Sequence, residues 1–354
     1  MWRYVPKVKH YAPYVDASQL IHELSADQTS PLLNCLLQSS KSQQLDEQRH
    51  QQHEFISPFT IVVGGVALGG SGKTQVVRYL VERLLKHGCQ SIFILGHAYL
   101  SLSGHRKSKL NLVKMIHKDN FNHYGDEASM LAYLFRNTHS KATDQQVIDQ
   151  PKVQVLVGGT WNEKWNHAKG LGAEIIISDG GLYTRDLPRH IGITVLSSYE
   201  KLRLLPFGHL TRPKLLWARS KNYIFWGTED SSKPFSSNQT LHIKTKVQPQ
   251  AFICLHTRNI EKHLPIKEAE SISVVCGIAK AERFRLLLLN MGYSIDQWHQ
   301  VRDHKAIPNK VIKAMNSSLG QTWVTTMKDA PKFIKQHSEL PQKLWALDVT
   351  LIAL

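Results

Sequence analysis

The chain has 354 residues, with 44 Lys+Arg against 28 Asp+Glu for a formal net charge of +16, and 42% hydrophobic against 20% charged residues. That composition excludes a disordered, collagenous or fibrous chain, and the length leaves room for two domains that each bury a core. No run of about 18 apolar residues occurs, so no spanning helix is expected, and the start MWRYVPKVKHYAPYVDASQ lacks the apolar segment of a secretory signal.

Cys35, Cys89, Cys254 and Cys276 share no C-x-x-C spacing. Neither a disulfide framework nor a zinc site is expected, and a reduced cytosolic compartment is. The excess cations would attract phosphates, nucleic acid or an anionic leaflet. They are spread along the chain without a nucleic-acid-binding motif, so charge alone names no partner.

Residues 1–55 form a first unit; from about 24 to 54 it is polar and rich in Gln and Ser, as expected of an arm or loose helix. Order is predicted to begin at Phe59–Val63, a short apolar run closed by glycines, as in a buried strand. From Thr74 the period changes: Val76, Val77, Leu80, Val81, Leu84 and Leu85 share a helical face, and Gly88 stands where a C-terminal cap belongs. Ile92–Leu95 is the next strand and Ala128–Phe135 a helical run. Val153–Val157 follows as a strand, then a polar helix ending near Gly172, and then strands at Ile175–Ile177, Ile193–Leu196 and Tyr223–Trp226. Strand and helix alternating at this spacing predict an α/β fold, a parallel sheet flanked by helices, over residues 56–228.

A composition shift at Gly227–Asn238 (GTEDSSKPFSSN) predicts a linker. Residues 229–354 then read as a second, smaller α/β domain, with room to return a helix or strand to the core. Leu241–Val247 alternates like an exposed antiparallel strand and Phe252–Leu255 like another. Ser273–Cys276 leads to a helix with Phe284, Leu287, Leu288 and Met291. A helix around Val311–Met315 and strands at Trp323–Thr325 and Leu347–Ile352 complete the chain.

The strongest chemical signal is Gly69-Gly70-Ser71-Gly72-Lys73-Thr74, between a predicted strand and an amphipathic helix. This is the context of a P-loop NTPase-like phosphate site. Glycines let backbone N–H groups turn toward phosphate oxygens, and the helix start adds its positive dipole end. Lys73 would reach the β- and γ-phosphates, and the Thr74 hydroxyl would join a Mg²⁺ shell. Ala67 stands where the strict pattern has its first glycine. Asp179 ends an apolar strand, where such sheets place ligands and where a carboxylate can hold the metal; Asp-Gly-Gly is also ordinary turn chemistry. Asp126 and Glu127 precede a helical run, where acids also simply complement the helix dipole.

These residues resemble the tetraacyldisaccharide 4′-kinase family, from roughly Phe59 to Lys332. The stretch Val63–Thr74 resembles the family's V-G-N-L-T-V-G-G-T-G-K-T, which lacks the same first glycine. Gly125-Asp126-Glu127 matches G-D-E, and Ser178–Leu182 resembles S-D-D-G-L. Leu204–Leu210 resembles L-L-P-A-G-P-L and Thr326–Ala330 resembles T-E-K-D-A, while Asp303-His304 stands where the family has Asp-His. The resemblance implies ATP-dependent phosphorylation of the 4′-hydroxyl of a tetraacyldisaccharide 1-phosphate in lipid A biosynthesis. It implies ATP and Mg²⁺ as cofactors, a lipid disaccharide as acceptor, and cytoplasmic work peripheral to the inner membrane leaflet, with no nucleic acid.

By position, Asp126 and His304 would be the catalytic pair, with Lys73 beside them. Ala67, Leu68, Gly69, Gly70, Ser71, Gly72, Lys73 and Thr74 would hold ATP, and Thr74, Asp179 and Glu127 the metal. The chain departs from the pattern at Gly180 for the second Asp, His97 for an arginine, Thr211-Arg212 for Arg-Glu and Met327 for a glutamate. A polar stretch also replaces the apolar N-terminal segment; exposed Trp2, Arg3, Tyr4, Lys7 and Lys9 could still dock at a membrane. These losses keep open an alternative, a non-catalytic or damped homologue that binds nucleotide or anionic lipid. An Asp restored at 180 is the natural probe of a missing carboxylate.

Overall fold

A computed structural model describes residues 58–65, 70–97, 114–116, 124–135, 151–195, 223–228, 242–257, 259–265, 270–303, 305–318, 320–336, 341 and 343–353. In chain order the elements are β1 (Phe59–Gly65), α1 (Lys73–Lys86), β2 (Ile92–Leu95), β3 (Lys114–Met115), α2 (Asp126–Phe135), β4 (Val153–Val157) and α3 (Trp161–Gly170). Then come β5 (Ile175–Asp179), β6 (Ile191–Val195), β7 (Tyr223–Thr228), β8 (His242–Cys254), β9 (Ile260–Glu261), β10 (Ile272–Cys276) and α4 (Ala281–Asn290). The last are β11 (Ile295–Gln300), α5 (Asn309–Ser317), β12 (Thr322–Thr326), α6 (Ala330–Gln336) and β13 (Leu344–Ala353).

The strands join in one 13-stranded sheet of order β11-β10-β12-β13-β8-β7-β6-β1-β5-β2-β4-β3, with β9 paired on β8. From β8 to β4 neighbouring strands are parallel; the direction reverses where β8 meets β13, and β13, β12, β10 and β11 are again mutually parallel. Strands covered on both faces have no solvated side to show, which is why β2 is wholly apolar and β1, β4 and β5 are mostly so. Phe59–Val63, Ile92–Leu95 and Ile175–Asp179 are all buried.

The helix expected after the phosphate loop is α1, with Val76, Val77, Leu80, Val81 and Leu84 in the core. Gly88 follows it at φ 89, the left-handed conformation that ends a helix. The polar helix expected before Gly172 is α3, opened by a capping box. Thr160 Oγ1 accepts from Glu163 N at 3.2 Å, and Thr160 N donates to Glu163 Oε2 at 2.6 Å.

One expectation is corrected. Leu241–Val247 and Phe252–Leu255 are not two strands: β8 runs unbroken for 13 residues. Its register with β13 shifts between Asp348 and Val349, so that Pro249 faces Val349 and Ala251 faces Asp348. The bulge absorbs Gln250 and accommodates the proline, which otherwise reads as a break. The domain boundary expected at 228/229, and most of the linker, fall outside the described residues, as does the N-terminal arm.

The last strand meets α1. Buried Arg78 forks onto both oxygens of Asp348 in β13, through Nη1 and, at 2.8 Å, Nη2, and Nη1 also donates to Val349 O at 2.9 Å. Burial opposes the charge of the guanidinium, but Asp348 and Glu82 outweigh it and raise the Arg78 pKa. The phosphate-loop helix is therefore anchored to the last strand.

Candidate active site

Parallel register brings the exits of three strands together: Val63 of β1 lies opposite Asp179, and Ser178 of β5 opposite Leu95 of β2. This is the carboxyl edge of the sheet, where α/β folds hold ligands. Gly70 and Gly72 both have positive φ, 56 and 89, in the turn that leads into α1. Lys73 Nζ lies 3.4 Å from Ser71 Oγ, and Thr74 Oγ1 donates to Asp179 Oδ2 at 2.9 Å across 105 residues of sequence. The second oxygen of Asp179, Oδ1, is buried with no hydrogen-bond partner. Burial, then the nearby Glu127 carboxylate, raises its pKa to about 6 against the opposing pull of Lys73, Thr74 and Lys328.

Asp126 opens α2 and is 7% exposed. Its Oδ1 accepts from Glu127 N at 3.0 Å, while Oδ2 lies 3.6 Å from Lys332 Nζ and 3.8 Å from Lys328 Nζ. Lys328 also reaches Glu127 at 3.3 Å and Asp303 at 3.0 Å. Lys332 is wholly buried and sits 2.5 Å from Asp329 Oδ1, whose Oδ2 accepts from Gly277 N and Thr326 Oγ1 at 2.8 Å each. Lys328 thus contacts Asp126 directly and lowers the pKa of Asp179 through its charge.

A cavity of about 220 Å³ is lined by Gly70–Gln75 and closed by Glu127, Lys280, Arg283 and Lys328. Gln75, Ile278, Arg283 and Lys328 also border a second cavity of about 430 Å³, whose walls include Val247, Phe284, Leu287, Met327 and Leu347. A cationic compartment around the loop therefore opens beside a largely apolar one.

Gly180 is not a simple vacancy. Its φ is 118, and a Cβ there would overlap His97 Nε2, with Trp161 Cζ2 at 3.3 Å. The His97 ring meets Trp161 edge-on at 4.7 Å, and Lys164 lies 3.7 Å over the same indole while donating to Gly96 O at 2.7 Å. Packing of the imidazole, then the charges of Lys164 and Lys73, lower the His97 pKa to about 4. It is neutral at pH 7. Gly180→Asp should therefore destabilise the protein by about 3 kcal/mol through strain and overlap rather than restore a carboxylate. Urea unfolding measures this, and wild-type stability with faster turnover would contradict it.

The family model for tetraacyldisaccharide-1-P 4′-kinase matches residues 31–353. The chain belongs to this family. It is 27% identical to the tetraacyldisaccharide 4′-kinase of Shewanella halifaxensis over 77% of this chain and 73% of that one, and 26% identical to that of Desulfotalea psychrophila over 82% of each. The Aquifex aeolicus relative is 28% identical over 77% of this chain and 78% of its own. The fold matches the crystal structure of LpxK from Aquifex aeolicus in complex with ATP, with a TM-score of 0.60 and 21% identity over 96% of this chain and 95% of that one.

Of the family-matched residues, Gly70, Ser71, Gly72, Lys73, Thr74, Glu127, Asp126 and Asp179 lie at this site, while Ala67, Leu68, Gly69 and His304 are outside the described residues. Sequence reasoning assigned no role to Lys328, Lys332 or Asp329. The family's T-E-K-D-A, matched here by Thr326-Met327-Lys328-Asp329-Ala330, was the signal that could have pointed to Lys328 and Asp329; Lys332 lies beyond it.

Proposed function

We propose that this chain transfers the γ-phosphoryl group of ATP to the 4′-hydroxyl of a tetraacyldisaccharide 1-phosphate. The observation that carries this reading is that the cavity of Lys73 and Thr74, whose hydroxyl binds Asp179, is also lined by Lys328, which contacts Asp126, in a chain of this family. The loop amides and Lys73 hold the β- and γ-phosphates, and the nucleoside extends into the larger cavity past Gln75 and Arg283. Asp126 orients the acceptor hydroxyl and takes its proton; His304 is the proposed partner of that acid.

The donor set suits Mg²⁺. Asp179 offers a buried, unpartnered Oδ1 beside the Thr74 hydroxyl, with Glu127 close enough to repel it. An ion of this kind is held by one or two carboxylates together with substrate phosphates. Bound there, the ion would neutralise charge on the phosphates. Two motives for a non-catalytic reading weaken: His97 fills the space at Gly180, and Met327 is a buried cavity wall.

Among the described residues no helix is long and apolar enough to cross a membrane. A lipid acceptor would bring the chain to the cytoplasmic face of the inner membrane as a peripheral protein, a contact for which the basic N-terminal residues are the candidates.

Purified chain with ATP, Mg²⁺ and the disaccharide should yield a product one phosphate heavier, and Lys73→Ala should abolish it. Asp179 is ionised above pH 6 and protonated below, so kcat/KM should fall as pH drops through about 6. An unmodified acceptor across varied acylation would refute the reading.

A further inference from the structure

We propose that Lys328 contacts the transferred phosphoryl group while holding Asp126 in place, so that one ammonium serves both partners of the reaction. This rests on the phosphoryl-transfer reading above.

Lys328 lies in the turn between β12 and α6, a turn fixed from within. Thr326 Oγ1 donates to Asp329 Oδ2 at 2.8 Å and accepts from Asp329 N at 3.2 Å, while Gly277 N ties the same carboxylate to the end of β10. The ammonium projects from this turn to three carboxylates on separate parts of the chain: Asp303 at 3.0 Å, Glu127 at 3.3 Å and Asp126 at 3.8 Å. Burial disfavours its charge, but these acids outweigh it and raise the Lys328 pKa, so the group stays cationic at any working pH.

Two lysines approach Asp126, and their surroundings differ. Lys332 is 0% exposed and paired with Asp329, which gives the acid a purely internal counter-charge. The Lys328 side chain keeps 18% of its surface and lines the same cavity as Lys73 and the glycine turn. A lysine needed only for packing would be closed off as Lys332 is. Lys328 and Lys73 both line this cavity, so two cations border the space where charge would spread over the phosphoryl oxygens during transfer. The same ammonium fixes Asp126 Oδ2, and so sets the acid relative to the phosphorus it serves.

The test is Lys328→Met in the full chain, read by kcat and by the ratio of ATP to ADP affinity with Mg²⁺ present. Losing a preorganised charge on the transferring group should lower kcat by about 10²–10³-fold and remove most of the preference for ATP over ADP. A lysine with only a structural role would lower thermal stability without moving that ratio. Unchanged kcat and an unchanged ratio in a folded Lys328→Met protein would overturn the proposal. If Lys328→Met does not unfold cooperatively, Lys328→Gln, which keeps a polar donor without the charge, is read by the same two criteria. A wild-type chain that bound ATP but phosphorylated no disaccharide would sink the acceptor reading, while the affinity ratio would still decide whether Lys328 touches the γ-phosphate.

Discussion

Replacing Asp126 by Asn should lower kcat by about 10²–10⁴-fold, the usual contribution of a positioned proton acceptor, and leave the KM for ATP within a few-fold. Asn matches Asp in shape, and its side-chain oxygen can still accept from Glu127 N as Oδ1 does at 3.0 Å. The two nearby lysines do not become uncompensated, because Lys332 keeps Asp329 at 2.5 Å and Lys328 keeps Glu127 at 3.3 Å and Asp303 at 3.0 Å. The fold therefore survives the change and the chemistry does not. Single-turnover kinetics beside a melting curve separates the two, and full activity in the Asn variant would remove Asp126 from the reaction.

The second large effect concerns stability. Asp348→Ala should destabilise the protein by about 3 kcal/mol, the lower end for breaking a buried ion pair, since Glu82 still reaches Arg78 Nε at 2.6 Å. The pair matters beyond its own bonds. Arg78 lies on the helix that begins at Lys73, and Asp348 lies on β13, so the bridge keeps the phosphate-loop helix in register with the strands that carry Lys328. Pairing Arg78→Met with Asp348→Leu should recover most of the loss, because well-packed apolar replacements for a buried pair are often neutral. Denaturant titration of the single and double variants decides this. An Asp348→Ala protein as stable as wild type would show that the bridge contributes nothing.

Much of the first half was legible because its signals are local. The apolar run at Phe59–Val63, the helical face from Val76 to Leu84 and the loop between them are all read from neighbouring residues, and β1 and α1 follow them. Asp179 was legible because an acid at the end of an apolar strand reaches the ligand edge of a parallel sheet. The rest depends on contacts between distant parts of the chain. Pro249 reads as a strand break until its pairing with β13 shows that β8 bulges at Gln250 beside it. The helix α6 has only seven residues, with a proline in its first turn, and draws its stability from burying Ala330 and Phe333. Lys328 and Asp126 are 202 residues apart in sequence (328 − 126), and nothing near either one marks the other. Gly180 looked like a lost acid because only the packed chain brings the imidazole of His97 into the space a side chain would need.

The most direct test of the central claim is to incubate the full chain with ATP, Mg²⁺ and tetraacyldisaccharide 1-phosphate and to locate any added phosphate by tandem mass spectrometry. One phosphate at the 4′ position of the distal sugar, absent with Lys73→Ala, is the predicted result. A disaccharide recovered unchanged, or a phosphate at another hydroxyl, would contradict it.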